Sequence, residues 1–236
     1  MGMIQSKVNR AVGKAIHDYN MILDQDNILV AVSGGTDSLA LLNILFSFQK
    51  KAPVEFNIVP VYIDLGFENS FAKDLESYVN QHYGPIRIEY TDYGTYAHSE
   101  KNKENPCFLC SRLRRKRIFE IAQELGCKKI ALGHHKDDII ETFFINMLYA
   151  GKMDSMKPEQ WFFNGKFQMI RPLCYLEKNE IIKFCRKLDI FEFINSCPSN
   201  KISKRESIRG MLNELYQSND HIKGNIFKAM GQVIND

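Results

Sequence analysis

The chain has 236 residues, of which 44% are hydrophobic and 25% are charged, and its formal net charge is +3. These values are those of an ordinary folded protein, and the length suits one large domain or one domain with a small appendage. No apolar run reaches the roughly eighteen residues of a membrane span, and the N-terminus lacks the apolar core of a secretory signal. We therefore expect a cytoplasmic protein.

Apolar runs alternate with helical patterns along the chain. We predict strands over residues 27–33, 57–64, 86–90, 128–133 and 167–172. We predict an N-terminal helix within residues 1–26, and further helices over 38–48, 70–83, 106–125, 137–149, 177–188, 203–217 and 220–234. This alternation indicates an α/β fold with a doubly wound parallel sheet and a helical C-terminal extension packed on its edge. Residues 151–166 are predicted to be an irregular connection and a candidate flexible flap.

The segment SGGTDS, residues 33–38, lies between the first predicted strand and the helix that follows it. Glycines let backbone N–H groups approach an anion, and the helix start adds unpaired N–H donors and a partial positive charge. We expect Asp37 and Ser38 to cap this helix. Because ligands of open α/β sheets bind beyond the carboxyl ends of strands, the segment is a candidate phosphate site. The alternative is a glycine-rich turn that binds nothing.

Two cysteines, Cys107 and Cys110, lie three positions apart after Asn105 and Pro106. Asn and Pro suit the N-cap and the first position of a helix, which would place both thiols on one helix face. We expect the helix start and the arginines that follow to lower the thiol pKa values. Two thiols are too few for a structural zinc or iron–sulfur site, and Cys197 is the best candidate for a third ligand.

The remaining cysteines, Cys127, Cys174 and Cys185, are alternatives for that third ligand, but we predict that they are small buried core residues. A run of basic residues follows the cysteine pair: Arg112, Arg114, Arg115, Lys116 and Arg117. A second basic group comprises Lys201, Lys204, Arg205 and Arg209. Positive charge concentrated in one segment suits the binding of a polyanion such as a nucleic acid. The alternative is that the basic run is only a solvated face of a helix.

A third group of polar residues, GHHKDD over residues 133–138, follows the fourth predicted strand and opens a helix. Histidines and carboxylates there could ligate a metal or transfer protons. The alternative is that Asp137 and Asp138 serve only to stabilise the helix start. Its position at the same end of the sheet as SGGTDS favours a functional role.

The segment SGGTDS resembles the SGGxDS signature of the PP-loop ATP pyrophosphatases, which cleave ATP between the α and β phosphates and transfer AMP to an oxygen of their substrate. From about residue 27 onward, CFLCSRLRRKR, LGHHKDD, IRPLCYLEKNE and the surroundings of Cys197 resemble the TtcA group of tRNA 2-thiocytidine synthetases. The resemblance implies a Rossmann-like sheet of the adenine nucleotide α-hydrolase type. It also implies an ATP-binding catalytic domain in residues 27–175 and a helical region in 176–236 that supplies the third cysteine.

The resemblance implies roles for individual residues. Pyrophosphate would be cradled by Ser33, Gly34, Gly35, Thr36, Asp37 and Ser38. Asp64 would lie beside the adenosine, Gly133 and His134 would approach the nucleotide, and Asp137 or Asp138 would act near the transferred group. Thr36 stands where many relatives have lysine, which removes one expected phosphate-neutralising charge.

The same resemblance implies a [4Fe-4S] cluster held by Cys107, Cys110 and Cys197, with an open iron that carries sulfur. Arg114 occupies a position thought essential in the related 2-thiouridine enzymes. The implied reaction uses ATP and Mg²⁺: a pyrimidine O2 attacks the α-phosphate, pyrophosphate leaves, and sulfur then displaces AMP. The tRNA would contact Arg112, Arg115, Lys116 and Arg117.

The other implied partners are a sulfur donor, either a cysteine desulfurase or sulfide, and a second copy in a possible homodimer. Three alternatives remain open: a PP-loop ligase or sulfurtransferase that acts on another tRNA base or a small molecule, a non-catalytic iron–sulfur protein that binds nucleotide, and a persulfide mechanism on Cys110 and Cys197 without a cluster.

Overall fold

The structure is a computed structural model that describes residues 2–194, 197–198 and 204–234. Its strands are β1 (Asp26–Ala31), β2 (Phe56–Asp64), β3 (Arg87–Tyr90), β4 (Lys129–Ala131), β5 (Glu159–Phe162) and β6 (Phe167–Ile170). The helices of the described ranges are α1 (Met3–Asp18), α2 (Thr36–Gln49), α3 (Ala72–His82), α4 (Tyr93–Ala97), α5 (Pro106–Glu124), α6 (Lys136–Ala150), α7 (Lys178–Lys187), α8 (Lys204–Ser218) and α9 (Ile222–Ile234).

The strands form one six-stranded sheet in the order β3-β2-β1-β4-β6-β5. All neighbouring pairs are parallel except β5 and β6, which are antiparallel. The predicted α/β fold with a doubly wound parallel sheet is therefore confirmed, with one antiparallel strand added at its edge. The chain leaves β1 toward β2 on one side and later returns as β4 on the other side. The order of the sheet thus reverses between β1 and β4, where open α/β sheets bind ligands.

The prediction of an irregular connection over residues 151–166 is wrong for its second half. Glu159–Phe162 form β5, and a turn with positive φ at Phe163, Asn164 and Gly165 leads into β6. An Asn-Gly pair is a hairpin signal, but a strand of four residues carries too short a pattern to stand out in the sequence. The short helix α4 likewise lies in a loop for which no helix was predicted.

The sheet is covered by helices on both faces, and β1 shows how. Leu29 packs in a cluster with Phe119 and Ile121 of α5. Its neighbours Ile28 and Val30 belong to the cluster that contains α1, α2, α6 and α7. Because successive side chains of a strand point to opposite faces, burial on both faces accounts for the continuous apolar run of β1.

The C-terminal helices share the larger of these two clusters. Phe184 of α7, Ile208 of α8 and Met230 of α9 are all buried in it. α7 packs on α1 and α2, and α8 and α9 pack on α6, so the C-terminal helices pack on other helices of the same body. No helix within the described ranges is both long and apolar enough to cross a membrane.

Candidate functional site

The SGGTDS segment forms a tight loop between β1 and α2, here called the phosphate loop (residues 33–38). Gly34 has a φ of +82°, and a Cβ added there would lie 2.7 Å from the Phe71 ring. Glycine is needed at this position because both the left-handed backbone and the aromatic neighbour disfavour a side chain. Gly35 is the N-cap of α2 and makes no side-chain cap bond, so the N–H groups of the first turn face outward from the strand end.

The expectation that Asp37 and Ser38 cap α2 is wrong. The Ser38 hydroxyl donates to the Gly35 carbonyl at 2.9 Å and accepts from the Ser33 backbone N–H at 3.0 Å, which closes the loop on itself. The Asp37 carboxylate instead accepts hydrogen bonds from Lys178, whose Nζ lies 2.7 Å from both carboxylate oxygens. The loop is thus stabilised by its own hydroxyl and by a lysine from α7.

The GHHKDD segment lies against the phosphate loop, as the ends of neighbouring parallel strands should. A Cβ added to Gly133 would lie 3.0 Å from the backbone carbon of Asp37 and 3.1 Å from the backbone nitrogen of Ser38. Glycine at this position therefore lets the backbone of the GHHKDD segment lie close to the backbone of the phosphate loop, whereas a side chain would push the two segments apart. Two of the three motifs found in the sequence meet here.

The two histidines of this segment have different surroundings. Burial, and then the charge of Arg171, holds the pKa of His134 well below its ordinary value of 6.5. The Nδ1 atom of His134 accepts from the Arg171 Nε at 3.3 Å, so in the neutral ring Nε2 carries the proton. For His135, burial opposes the charged form, but Asp137 and the neighbouring carboxylates outweigh it and raise the pKa.

The carboxylates at the start of α6 are both paired. Asp138 accepts from the His135 backbone N–H at 3.1 Å, a capping contact, and from Arg205 at 3.1 Å. Asp137 accepts from the Lys178 backbone N–H at 2.9 Å and from Lys223 Nζ at 2.8 Å. Burial alone would raise the pKa of Asp137, but His135, Lys223 and the Lys178 N–H together hold it well below its usual range.

Asp64 ends β2 and shapes a small pocket at the same end of the sheet. Its buried carboxylate accepts from the Gly66 backbone N–H at 2.8 Å and from the Ser70 hydroxyl. The pocket is also lined by Tyr62, Asn69 and Phe71. Asp64 therefore fixes the turn that forms the pocket wall.

The segment after α7 covers the phosphate loop from the other side. The Phe193 backbone N–H donates to the Gly34 carbonyl at 2.9 Å. The Phe193 ring stacks on Phe71 with 5.6 Å between centroids, and Phe71 in turn packs on Tyr62 at 5.3 Å. This contact holds the chain to the phosphate loop four residues before Cys197.

The cysteine pair begins α5 as expected. The Asn105 side chain accepts from the Phe108 backbone N–H at 3.2 Å, and Pro106 occupies the first helical turn. Cys107 is exposed, whereas Cys110 and Cys197 are partly buried. The prediction that Cys127, Cys174 and Cys185 are core residues is confirmed by their burial.

The expectation of a lowered thiol pKa is wrong for Cys110. Burial raises its pKa, Arg114 opposes this, and the Cys197 and Cys107 thiols raise the pKa further. Cys110 therefore lies within electrostatic range of both other thiols. Among the described residues, no three His, Cys, Asp or Glu side chains are arranged to hold a single metal ion.

The basic run after the cysteines divides into two sets. Arg112, Arg115 and Lys116 are exposed. Arg117 lies in an ion-pair network, with Nε 2.8 Å from Glu89 and NH1 2.8 Å from Glu124. Arg112 also donates to a carboxylate, that of Glu104 at 2.9 Å, but it stays exposed, whereas the Arg117 side chain is only 19% exposed. The burial and the ion pairs of Arg117 therefore disfavour the RNA contact predicted for it.

Arg114 lies within α5 on the side of the cysteines. Its Nε is buried and has no hydrogen-bond partner in the described part of the chain. Its charge acts on Cys110 and also on Tyr62, so it lies within electrostatic range of a thiol and of a residue that lines the pocket at the end of β2. A buried donor without a partner is uncommon and calls for an explanation.

A cavity of about 340 Å³ opens between the starts of α2, α6 and α7 and the helices α8 and α9. Its polar walls include Asp37, Asp137, Lys178, Lys223 and Arg209. Sequence reasoning gave no role to Lys178 or Lys223 and placed Arg209 only in a basic group. No local signal could have found these contacts, because they depend on how the C-terminal helices pack. Lys201 of that basic group lies outside the described residues.

Comparison with known proteins agrees with these motifs. Residues 4–215 match the family model described as a PP-loop domain. A tRNA-cytidine(32) 2-sulfurtransferase from Geobacter sulfurreducens is 37% identical over 96% of this chain and 90% of its own length. Another, from Syntrophotalea carbinolica, is 35% identical over 96% of this chain and 89% of its own.

A solved structure of the U34-tRNA thiolase NcsA from Methanococcus maripaludis with its [4Fe-4S] cluster is similar in fold. It has a TM-score of 0.82 at 22% identity, over 97% of this chain and 78% of that one. The family match begins at residue 4, so α1 is part of the matched domain. Because the family model and both relatives span most of the chain, this protein belongs to the PP-loop ATP pyrophosphatases, in the family of the tRNA-cytidine(32) 2-sulfurtransferases.

Proposed function

We propose that this protein is an ATP-dependent tRNA thiolase that replaces the O2 of cytidine 32 with sulfur. The observation that carries the proposal is the meeting of the phosphate loop and the GHHKDD segment at the switch point of the sheet. The relatives supply the base and its position, since their names specify cytidine 32 of tRNA.

In the first step, the chain binds and orients ATP. The N–H groups of the phosphate loop and the start of α2 suit the phosphates, and Asp64 at the end of β2 is the proposed neighbour of the adenosine. The neutral His134 can donate its Nε2 proton to a phosphate oxygen. The cytidine O2 then attacks the α-phosphate, the bond between the α and β phosphates breaks, and diphosphate leaves.

In the second step, sulfur at the oxidation level of sulfide attacks C2 of the activated base, the C2–O bond breaks, and AMP departs with that oxygen. We assign Cys107, Cys110 and Cys197 as the residues that would hold a [4Fe-4S] cluster, since these three cysteines lie outside the packed core and Cys110 is within electrostatic range of the other two. A cluster with three protein ligands supplies an open iron that can carry the sulfur atom. Arg114 lies near Cys110 and Tyr62, and we assign its charge, with the partnerless Nε, to the stabilisation of charge on the reacting base.

The predicted Mg²⁺ does not fit the phosphate loop as it stands. Asp37 is the one carboxylate of the loop sequence, and both of its oxygens already bind the Lys178 ammonium. Oxygen ligands are what Mg²⁺ requires, so we derive no step through it.

The tRNA is proposed to lie along the exposed side of α5. Arg112, Arg115 and Lys116 point into solvent there and can bind backbone phosphates. An anticodon arm can present an unstacked base to a site beside them. Sulfide or a cysteine desulfurase as the sulfur donor, a homodimer and a cytoplasmic location remain predictions.

The test is mass spectrometry of the nucleosides in total tRNA from a strain that lacks the gene. We expect selective loss of 2-thiocytidine, restored by the wild-type gene but not by Cys107→Ala. Cys127→Ala is the matched control: this cysteine follows α5, is buried in the core and is not one of the proposed ligands, so this variant should restore the nucleoside.

Two outcomes would contradict the proposal. Loss of a 2-thiouridine instead would move the activity to another base. An unchanged set of thionucleosides would favour a small-molecule substrate, and such an enzyme should release diphosphate from ATP without any RNA. Iron-free protein after anaerobic reconstitution would favour a persulfide mechanism on Cys110 and Cys197.

A further inference from the structure

The phosphate loop lacks a full positive charge of its own. Its sequence SGGTDS contains no lysine or arginine, and its only ionisable side chain, Asp37, is an acid. Backbone N–H groups and a helix start supply only partial charges. A site that binds the terminal phosphates of a nucleotide should therefore take a cation from another part of the chain.

Other nearby basic groups are already engaged. The Arg171 guanidinium is buried and donates to His134, to the Lys157 carbonyl and to the Met169 sulfur. His134 is neutral because its pKa is lowered by burial and by Arg171. Neither group can add a free charge at the loop.

Lys178, the first residue of α7, is placed to supply this charge. Its Nζ lies 2.7 Å from both oxygens of Asp37 and 3.2 Å from the Thr36 hydroxyl. Its backbone is fixed by the hydrogen bond to Asp137, while 38% of its side chain is exposed on a wall of the 340 Å³ cavity. The backbone is thus fixed while the ammonium group can reach a ligand.

A second lysine, Lys223, pairs with a nearby carboxylate and so leaves the Lys178 ammonium available to a phosphate. Lys223 of α9 lies 2.8 Å from Asp137 and 3.3 Å from Glu177, and its side chain is only 16% exposed. It neutralises the carboxylate that would otherwise compete for the Lys178 ammonium. Asp37 is then the main competitor, and it belongs to the phosphate loop itself.

We infer that Lys178 binds the terminal phosphates of the nucleotide and the diphosphate product, at the wall of the cavity beside Thr36. This inference rests on the proposed function, since it assigns a further residue to the same ATP site. Lysine is a common point-charge ligand of phosphate. Its ammonium has three N–H donors: two would stay on the Asp37 oxygens, and the third, which now points to the Thr36 hydroxyl, would turn to a phosphate oxygen.

The test is calorimetric titration of the full-length protein with three probes: inorganic diphosphate, α,β-methylene-ATP and AMP. For Lys178→Met we expect the affinities for diphosphate and the ATP analogue to fall at least about tenfold, the range of a hydrogen bond to a charged group. AMP lacks the terminal phosphates, so its affinity should stay within about twofold of the wild type. Lys183→Met is the matched control, because Lys183 is an exposed lysine of the same helix.

A rescue variant separates charge from structure. Thr36→Lys in the Lys178→Met background places an ammonium group at the same spot from the loop side, because Thr36 Oγ1 and Lys178 Nζ are 3.2 Å apart. Diphosphate affinity should return with this second change, and Lys178→Arg should retain most of it.

Wild-type affinity for diphosphate in Lys178→Met would overturn the inference. An equal loss of AMP and diphosphate without rescue would also overturn it, because Lys178 would then act only by holding Asp37. If Lys178→Met does not fold, Lys178→Arg provides the test, because it keeps the positive charge. A Lys178→Arg protein that binds AMP but not diphosphate would contradict the inference. A wild-type protein that binds neither ATP analogue nor diphosphate would instead remove the proposed function.

Discussion

His134 and His135 are neighbours in the chain, yet their surroundings move their pKa values in opposite directions. Burial and Arg171 lower the pKa of His134 below 6.5, so the folded state resists protonation there. His135 is buried among Asp37, Asp137 and Asp138, which raise its pKa. The two residues should therefore affect stability on opposite sides of pH 6.5.

We predict that the free energy of unfolding is highest near pH 6.5. Below it, the unfolded chain protonates His134 and the folded chain does not, so stability falls by on the order of 1 kcal/mol per pH unit. Above it, stability falls as pH rises through the raised pKa of His135. Urea titrations between pH 5 and 8 measure this. His134→Gln should flatten the acid side and His135→Gln the alkaline side, and unchanged profiles in both variants would contradict the assignment.

Arg114 and Arg115 are adjacent, but only Arg115 is exposed. We predict that Arg114→Met lowers the thiolation rate by on the order of 100-fold, since it removes a partly buried charge that we place beside the reacting base. Arg115→Met should instead weaken tRNA binding several-fold, with little change in kcat. Single-turnover assays and filter binding separate the two effects. A loss of tRNA affinity in Arg114→Met with normal kcat would place Arg114 in the RNA surface.

At the scale of elements, α5 carries both function and stability. Arg117 joins it to β3 through Glu89 and is only 19% exposed. We predict that Arg117→Ala costs about 1–3 kcal/mol of unfolding free energy, because Glu89 loses a charged partner. Urea denaturation measures this cost, and a double-mutant cycle with Glu89→Gln isolates the pair. If the effects of the two substitutions on stability are additive and Arg117→Ala also lowers tRNA affinity, Arg117 contacts the RNA rather than Glu89.

The loop between β4 and α6 depends on Gly133. We predict that Gly133→Ala lowers affinity for the ATP analogue at least about tenfold, since backbone atoms of the phosphate loop must move away from the new Cβ. Gly13→Ala in α1 is the control, because a Cβ there meets nothing within 4 Å. Calorimetry on both variants decides this, and wild-type affinity in Gly133→Ala would show that the close approach has no role in binding.

At the scale of the whole molecule, the sequence predicts features that follow from local pattern and sheet rules. The phosphate loop and His134 end neighbouring parallel strands, so their proximity follows from the fold class. The Asn105 cap and the burial of Cys127 also follow from local signals. These features needed no knowledge of how distant helices pack.

Other features depend on packing between distant segments. Lys178 meets Asp37 across 141 positions of sequence, and buried Glu141 meets Arg209 across 68. The raised pKa of Cys110 likewise reflects burial by segments far from α5. Charge beside a thiol is visible in a sequence, whereas the desolvation that outweighs it is not.

The hydrogen bond between Phe193 and Gly34 limits how far Cys197 can lie from the phosphate loop. Four residues separate Phe193 from that cysteine, and an extended chain spans at most about 3.6 Å per residue, or roughly 14 Å. The covalent chain keeps Cys197 within that distance of the Phe193 Cα, and the hydrogen bond keeps Phe193 at Gly34. A movement of the phosphate loop at Gly34 must therefore either break this hydrogen bond or move Phe193, and with it the region that Cys197 can reach.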